Sequence, residues 1–232
     1  MSNVLVVAEC GEGKLKKTTH SAVTFARTAA EKLGGNYSIL LLGSDLDGAS
    51  KEAAGLGADK VLVADDASLS QYLAENYAPT VADVAKGYSV VVAAASAFGK
   101  DLMPRVAART DSGYAADITD VIMDGDTIAY KRPMYAGNAF GICEITSALQ
   151  VVTVRQSAFA AAEVGEASSA VESVSVAAAG EAAARVEWVK FDQVKSTRPE
   201  LTEADVVISG GRALKEQFYD VLDPLADIFG AA

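Results

Sequence analysis

Few side chains in these 232 residues have the chemistry of an active centre, and their spacing limits what each could do. His20 is the only histidine. Acid–base work by an imidazole needs a nucleophile or an orienting carboxylate within reach. The sequence places neither beside it, so His20 reads as a residue in the first turn of a helix. No His, Cys or carboxylate lies at ligand spacing from it, so no metal site is expected. Cys10 and Cys143 stand singly, without CxxC spacing. They read as buried thiols of a reducing compartment rather than a disulfide or zinc framework. Glu9, Asp65 and Asp66 follow apolar runs and read as helix N-terminal or solvated charges. The sequence contains no GxSxG, Walker or GxGxxG pattern, and no catalytic residue is assigned.

One constellation is left. In Ser209-Gly210-Gly211-Arg212, two glycines stand between an apolar run and a helical pattern. Glycines there let backbone amides approach an anion at a helix N-terminus. Arg212 adds a planar guanidinium suited to phosphate or an electron-rich ring. The same pattern also serves as an ordinary turn.

The elements that must position these residues alternate two periods. Val4–Ala8, Ser38–Leu42, Val61–Val63 and Val90–Ala94 are short apolar runs of the kind buried on both faces of a parallel sheet. Helical spacing joins them over Thr18–Leu33, closed by Gly34-Gly35, over Ala49–Leu56, over Ser68–Lys86 with an interruption at Pro79, and over Gly99–Arg109. This order predicts a doubly wound, mostly parallel sheet with right-handed crossovers, its ligand face at the carboxyl ends of the strands. After Asp117 the spacing changes. Ile118–Met123, Asp126–Tyr135 and Leu149–Val154 read as late strands that extend the sheet antiparallel or form a flap, with a hairpin at Asp124-Gly125. Val171, Val174 and Val176 permit one more strand, and the pattern sharpens again at Val186–Val189.

Residues 1–190 are therefore expected to form an N-terminal α/β domain, and 191–204 a linker in which Pro199 keeps Arg198 extended. Residues 205–232 would open a second α/β domain, truncated because one strand, Asp205–Ile208, and one helix, carrying Leu214, Phe218, Val221, Leu222, Leu225 and Phe229, cannot bury two faces. Pro224 should kink or restart that helix.

Composition narrows the classes further. Thirty-one acidic against 20 basic residues give a net charge of −11, the wrong sign for a phosphate-neutralising nucleic-acid binder or an anionic membrane surface. The apolar runs are far short of a membrane span. No secretory or transit pattern precedes Val4, so the chain reads as cytoplasmic, or as a processed protein of the mitochondrial matrix.

Four segments, in order and spacing, carry a resemblance across nearly the whole chain. They are Ala97–Ala108 (AFGKDLMPRVAA), Tyr135–Ala139 (YAGNA), Val154–Phe159 (VRQSAF), and Arg198–Leu201 (RPEL) running into Val206–Arg212 (VVISGGR). They resemble the α subunit of electron transfer flavoprotein. Read by packing alone, Pro104–Ala108 is a helix lying on a sheet and Gly137-Asn138 a bulge or turn. The resemblance implies a heterodimer with a β subunit. Its FAD carries electrons from flavoprotein dehydrogenases, such as the acyl-CoA dehydrogenases of fatty acid β-oxidation, to a membrane quinone reductase. The implied role is a carrier and not an enzyme. By position, Arg212 would face the flavin and Gly211 would let the backbone come near. The family's later Ser-Arg, Thr-Gly and Gly-Ile-Ser-Gly stretches are missing, so this chain alone is expected to hold no FAD tightly. Two other readings use the same fold: an adenine-nucleotide-binding domain acting as enzyme or sensor, and a structural partner domain that never touches cofactor.

Overall fold

The computed structural model describes residues 3–11, 13–125, 127–166, 168–192 and 197–232. Asp126, the first residue of an expected strand, and Lys195-Ser196 of the expected linker lie outside them, as do Met1 and Ser2. The chain divides into two compact units, one ending at Trp188 and the other starting at Val189.

The first unit opens with β1 (Val4–Val7), whose four residues are all buried. A small hairpin, β2 (Cys10–Gly11) and β3 (Lys14–Leu15), leads into α1 (Lys17–Leu33). β4 (Tyr37–Gly43), α2 (Asp47–Ala54), β5 (Lys60–Asp65), α3 (Ala74–Ala85), β6 (Val90–Ala94) and α4 (Ala97–Arg109) complete the expected alternation. α3 begins later than the periodicity suggested, after a short turn at Ala67–Leu69, and carries Pro79 within it. Then come β7 (Gly113–Ile118), β8 (Asp120–Asp124), β9 (Thr127–Met134), β10 (Ala139–Glu144), β11 (Gln150–Val154), β12 (Ala170–Ser173) and the single turn α5 (Gly180–Ala183).

Seven strands form one sheet in the order β12-β5-β4-β1-β6-β11-β7, every neighbouring pair parallel. Strand residues alternate between its faces. Val4, Val6, Ile39 and Leu41 pack under α1 and α2; Leu5, Val7, Leu40 and Val91 pack under α3 and α4. That is why the strands read as continuous apolar runs.

Of the late strands, β8, β9 and β10 form a separate antiparallel sheet. The hairpin at Asp124-Gly125 joins β8 to β9, with Asp124 opposite Thr127. β11 departs from both late-strand options, because it enters the main sheet in parallel between β6 and β7. Val151, Val152 and Val154 are fully buried there, a burial that an edge or a flap would not supply. β12 adds itself beside β5. No regular element forms over Val186–Val189.

In the second unit, α6 (Phe218–Phe229) runs unbroken through Pro224. Leu214 lies outside it, in the 3-10 turn Arg212–Gln217. The expected strand Asp205–Ile208 is absent: the segment is exposed, Val207 by 51 %. It makes a short ladder with the chain's last residue, the Ile208 amide donating to the Ala232 carbonyl at 3.0 Å and the Ala232 amide to Val206 at 3.1 Å. Arg198 holds α6 through Asp223 (3.2 Å) and Asp227 (2.8 Å).

Candidate functional site

In a doubly wound sheet the natural crevice lies where strand order reverses. Here that point is between β1 and β6, and Glu9 stands at it. The Glu9 carboxylate accepts from the Ser96 hydroxyl at 2.6 Å and the Thr18 hydroxyl at 3.1 Å. Ser96 in turn caps α4 by accepting from the Gly99 amide at 3.3 Å. A β-carbon on Gly99 would fall 1.9 Å from the Ala94 carbonyl oxygen, so α4 seats directly on the end of β6. The backbone is bound in too: the Lys16 amide donates to the Glu9 carbonyl at 3.0 Å, and the Glu9 amide to Thr19 at 2.9 Å. A phosphate would need donors free at this point. A carboxylate occupies it, with its donors already engaged within the chain.

The other acidic candidates also serve locally. Asp65 accepts from the Asp45 and Leu46 amides at the start of α2. Asp66 accepts from the Ser68 amide at 2.8 Å, and the Ser68 hydroxyl and amide hold its carboxyl below the usual carboxylate range.

His20 lies in the first turn of α1, but tertiary folding gives it the carboxylate the sequence hid. One ring nitrogen is 3.2 Å from Glu52 of α2 and the other 2.8 Å from the Ala162 carbonyl. With Ala162 donating its own amide to the His20 carbonyl, the imidazole is a strut between three segments. The Cys10 thiol is pushed up to about 12, by burial first and then by Glu52 and Glu9, which keeps it protonated and unreactive. Both cysteines are free, and among the described residues no group of three His, Cys, Asp or Glu is placed to hold a metal ion.

Several motif segments act as clamps. Arg105 of α4 pairs with Glu75 of α3 at 2.7 Å. Arg155 grips Asp117 through two bonds, at 3.1 and 2.5 Å, locking the end of β11 to β7 where their register shifts. Tyr135, Ala136 and Gly137 all have positive φ, 50°, 56° and 89°, so this segment turns β9 into β10 with Tyr135 exposed. The outer face of the sheet it joins is apolar and open: Phe140 is 58 % and Ile142 64 % exposed, and Lys131 lies over the Phe140 ring at 4.7 Å.

The two glycines before Arg212 differ in kind. A β-carbon at Gly210 would meet Leu214 at 2.5 Å and Leu222 at 3.0 Å, so Gly210 is required for packing against α6. Gly211 has φ −95°, open to any residue, and nothing lies within 4 Å of where its β-carbon would stand. Neither strain nor packing asks for glycine there. The bare backbone beside the exposed Arg212 guanidinium is open to a flat or anionic group.

Together these features define the chain's main unit as a doubly wound α/β scaffold with its strand-end crevice closed from within. Residues 4–179 match the Electron transfer flavoprotein domain family, and the chain belongs to it. It is 40 % identical over 232 residues to electron transfer flavoprotein subunit alpha of Pseudomonas aeruginosa, covering 99 % of this chain and 72 % of that protein. It is 37 % identical to the subunit alpha of Paracoccus denitrificans, covering 99 % and 71 %, and 31 % identical to that of Bacillus subtilis, covering 99 % and 70 %.

Proposed function

We propose that this chain is the α-type subunit of an electron transfer flavoprotein. In that role it pairs with a β subunit and carries electrons from flavoprotein dehydrogenases, acyl-CoA dehydrogenases among them, to a quinone reductase. The similarity to named alpha subunits over 99 % of the chain carries this reading. In the chain's own terms the first unit is the partner-pairing scaffold and the second supplies part of the flavin wall. The electron chemistry comes from FAD when it is bound. Arg212 presents a fixed positive charge to an electron-rich ring or a phosphate, and Gly211 lets main-chain amides approach it. The open outer face of β9 and β10 supports docking of a second subunit, because apolar side chains exposed on a stable sheet favour a partner. Gly211 and Arg212 are themselves exposed, so the loop encloses little of a ligand by itself. Tight FAD retention therefore requires the complex. The cytoplasm or the mitochondrial matrix is the expected place of work; similar proteins from Cryptococcus neoformans and Caenorhabditis elegans are named mitochondrial. Among the described residues no helix is long and apolar enough to cross a membrane.

Co-expression with a β-type subunit tests the proposal. A co-purifying complex whose flavin absorbance exceeds that of the chain alone, and falls in R212Q, is expected. Failure to associate with any β-type subunit, or flavin content indifferent to Arg212, would overturn it.

A further inference from the structure

Between β7 and the underside of β9 and β10 lies a cavity of about 440 Å³, within the range of small-ligand pockets. Arg132 of β9 projects to this underside. It lies two residues from the fully buried Tyr130, on the same strand face, and its register partner on β10 is Gly141. With no side chain at that partner position, the Met134 thioether fits close against the backbone, its sulfur 2.7 Å from where a β-carbon would stand. Met134, Cys143 and Ile145 give apolar walls, and Tyr114 and Ser147 add hydroxyls.

Arg132 Nε is buried and has no hydrogen-bond partner among the described residues. The polar groups around it are bonded elsewhere or form no bond to it. Asp117 is held by Arg155. The Tyr114 hydroxyl pairs with Thr153 at 3.0 Å. Ser147 accepts from the Gly113 amide and donates to the Leu149 carbonyl. Glu144, at the end of β10, also lines the cavity, yet it forms no ion pair with Arg132 among the described residues. A buried guanidinium nitrogen left without an acceptor needs explanation, because taking a donor out of water without a partner is unfavourable.

We propose that this cavity receives a carboxylate on a short apolar stem, the head group paired with Arg132 and the stem lying against Met134 and Ile145. A guanidinium fork matches a carboxylate in two parallel bonds, and the walls suit a few methylenes. Two sources share this chemistry: a free short-chain carboxylic acid, or an acidic side chain of a docked partner protein. The inference stands apart from the flavin reading, since it uses neither Arg212 nor the second unit.

The test follows the Arg132 Nε–H resonance in ¹⁵N-labelled full chain, assigned by its loss in R132K, while sodium butyrate is titrated against sodium chloride at constant ionic strength. A saturable shift with butyrate alone is expected; the backbone amide resonances of Gly141 and Cys143, which line the cavity and survive the substitution, should follow it and require at least tenfold more butyrate in R132Q. G141V keeps the arginine but crowds the Met134 thioether that walls the cavity, and should lose the response even if R132Q does not fold. Repeating the titration with a β-type subunit bound separates the sources. If the resonance has already moved and butyrate no longer competes, the partner supplies the carboxylate; if butyrate still binds, the ligand is free. If Arg132 moves with neither butyrate nor the partner, the proposal fails. That outcome would leave association with the β subunit and its flavin content unaffected, so the two readings fail separately.

Discussion

Replacing Gly99 by alanine tests how the strand-end crevice is closed. On an isolated helix the change would stabilise by about 1 kcal/mol, because glycine is the poorer helix former. In this fold the new methyl would stand 1.9 Å from the Ala94 carbonyl oxygen, a backbone atom that cannot rotate away. α4 must lift by roughly 1.5 Å to restore ordinary contact. Overpacking of this kind costs about 1–3 kcal/mol, and a rigid neighbour puts it at the upper end. The net is roughly 2 kcal/mol of destabilisation, or a fall of about 4–8 °C in Tm for a unit of this size. The lift also draws Ser96 from Glu9, a bond of 2.6 Å. Thermal melts of G99A and S96A followed by circular dichroism, with the double variant to measure coupling, provide the assay. A G99A protein as stable as wild type, or more so, would refute the close seating of α4 on β6.

Further outcomes follow from the same geometry. F140D and I142D should leave the Tm unchanged, because both side chains are exposed. Each should weaken association with a β-type subunit by tenfold or more if that face is the docking surface, as titration of the two subunits would read. G210V should unfold the second unit by forcing Leu214 and Leu222 apart, whereas G211A should leave its far-ultraviolet spectrum intact and lower only the flavin content of the complex. The raised Cys10 thiol favours the folded state while protonated, since an unfolded thiol titrates near 9 and the folded one near 12. Its contribution is whole below pH 9 and falls by about 1.4 kcal/mol per pH unit above that. Urea titrations of wild type and C10A between pH 8 and 10.5 should show the shallower decline in C10A, and Cys10 should resist iodoacetamide at pH 8 while the protein is folded.

The clamps could not be read as clamps from spacing. Arg155 meets Asp117, and Arg105 meets Glu75, across 38 and 30 positions of chain; that each is an ion pair depends on helices and strands laid side by side. His20 is the sharper case: its carboxylate partner Glu52 lies 32 residues away on another helix. Charge type and local period carry no information about such distances.

The order of β1, α1, β4, α2, β5, α3, β6 and α4 was legible in the amino acids themselves. Burial on both faces leaves a run of valine and leucine with no polar alternation, and the helical repeat of α1 brings Ala22, Phe25, Ala26 and Ala29 onto one buried face. The placement of β11 was decided only in three dimensions. Its three valines resemble those of β6, though Gln150 and Thr153 interrupt them, and sheet position depends on which neighbour offers free backbone groups after the chain has turned back through β8, β9 and β10. The segment at Val206 and Val207 has the same composition as a buried strand yet stays exposed. An apolar run becomes a strand in a core only where a second surface is present to take its side chains out of water, and that condition belongs to the fold rather than to the run.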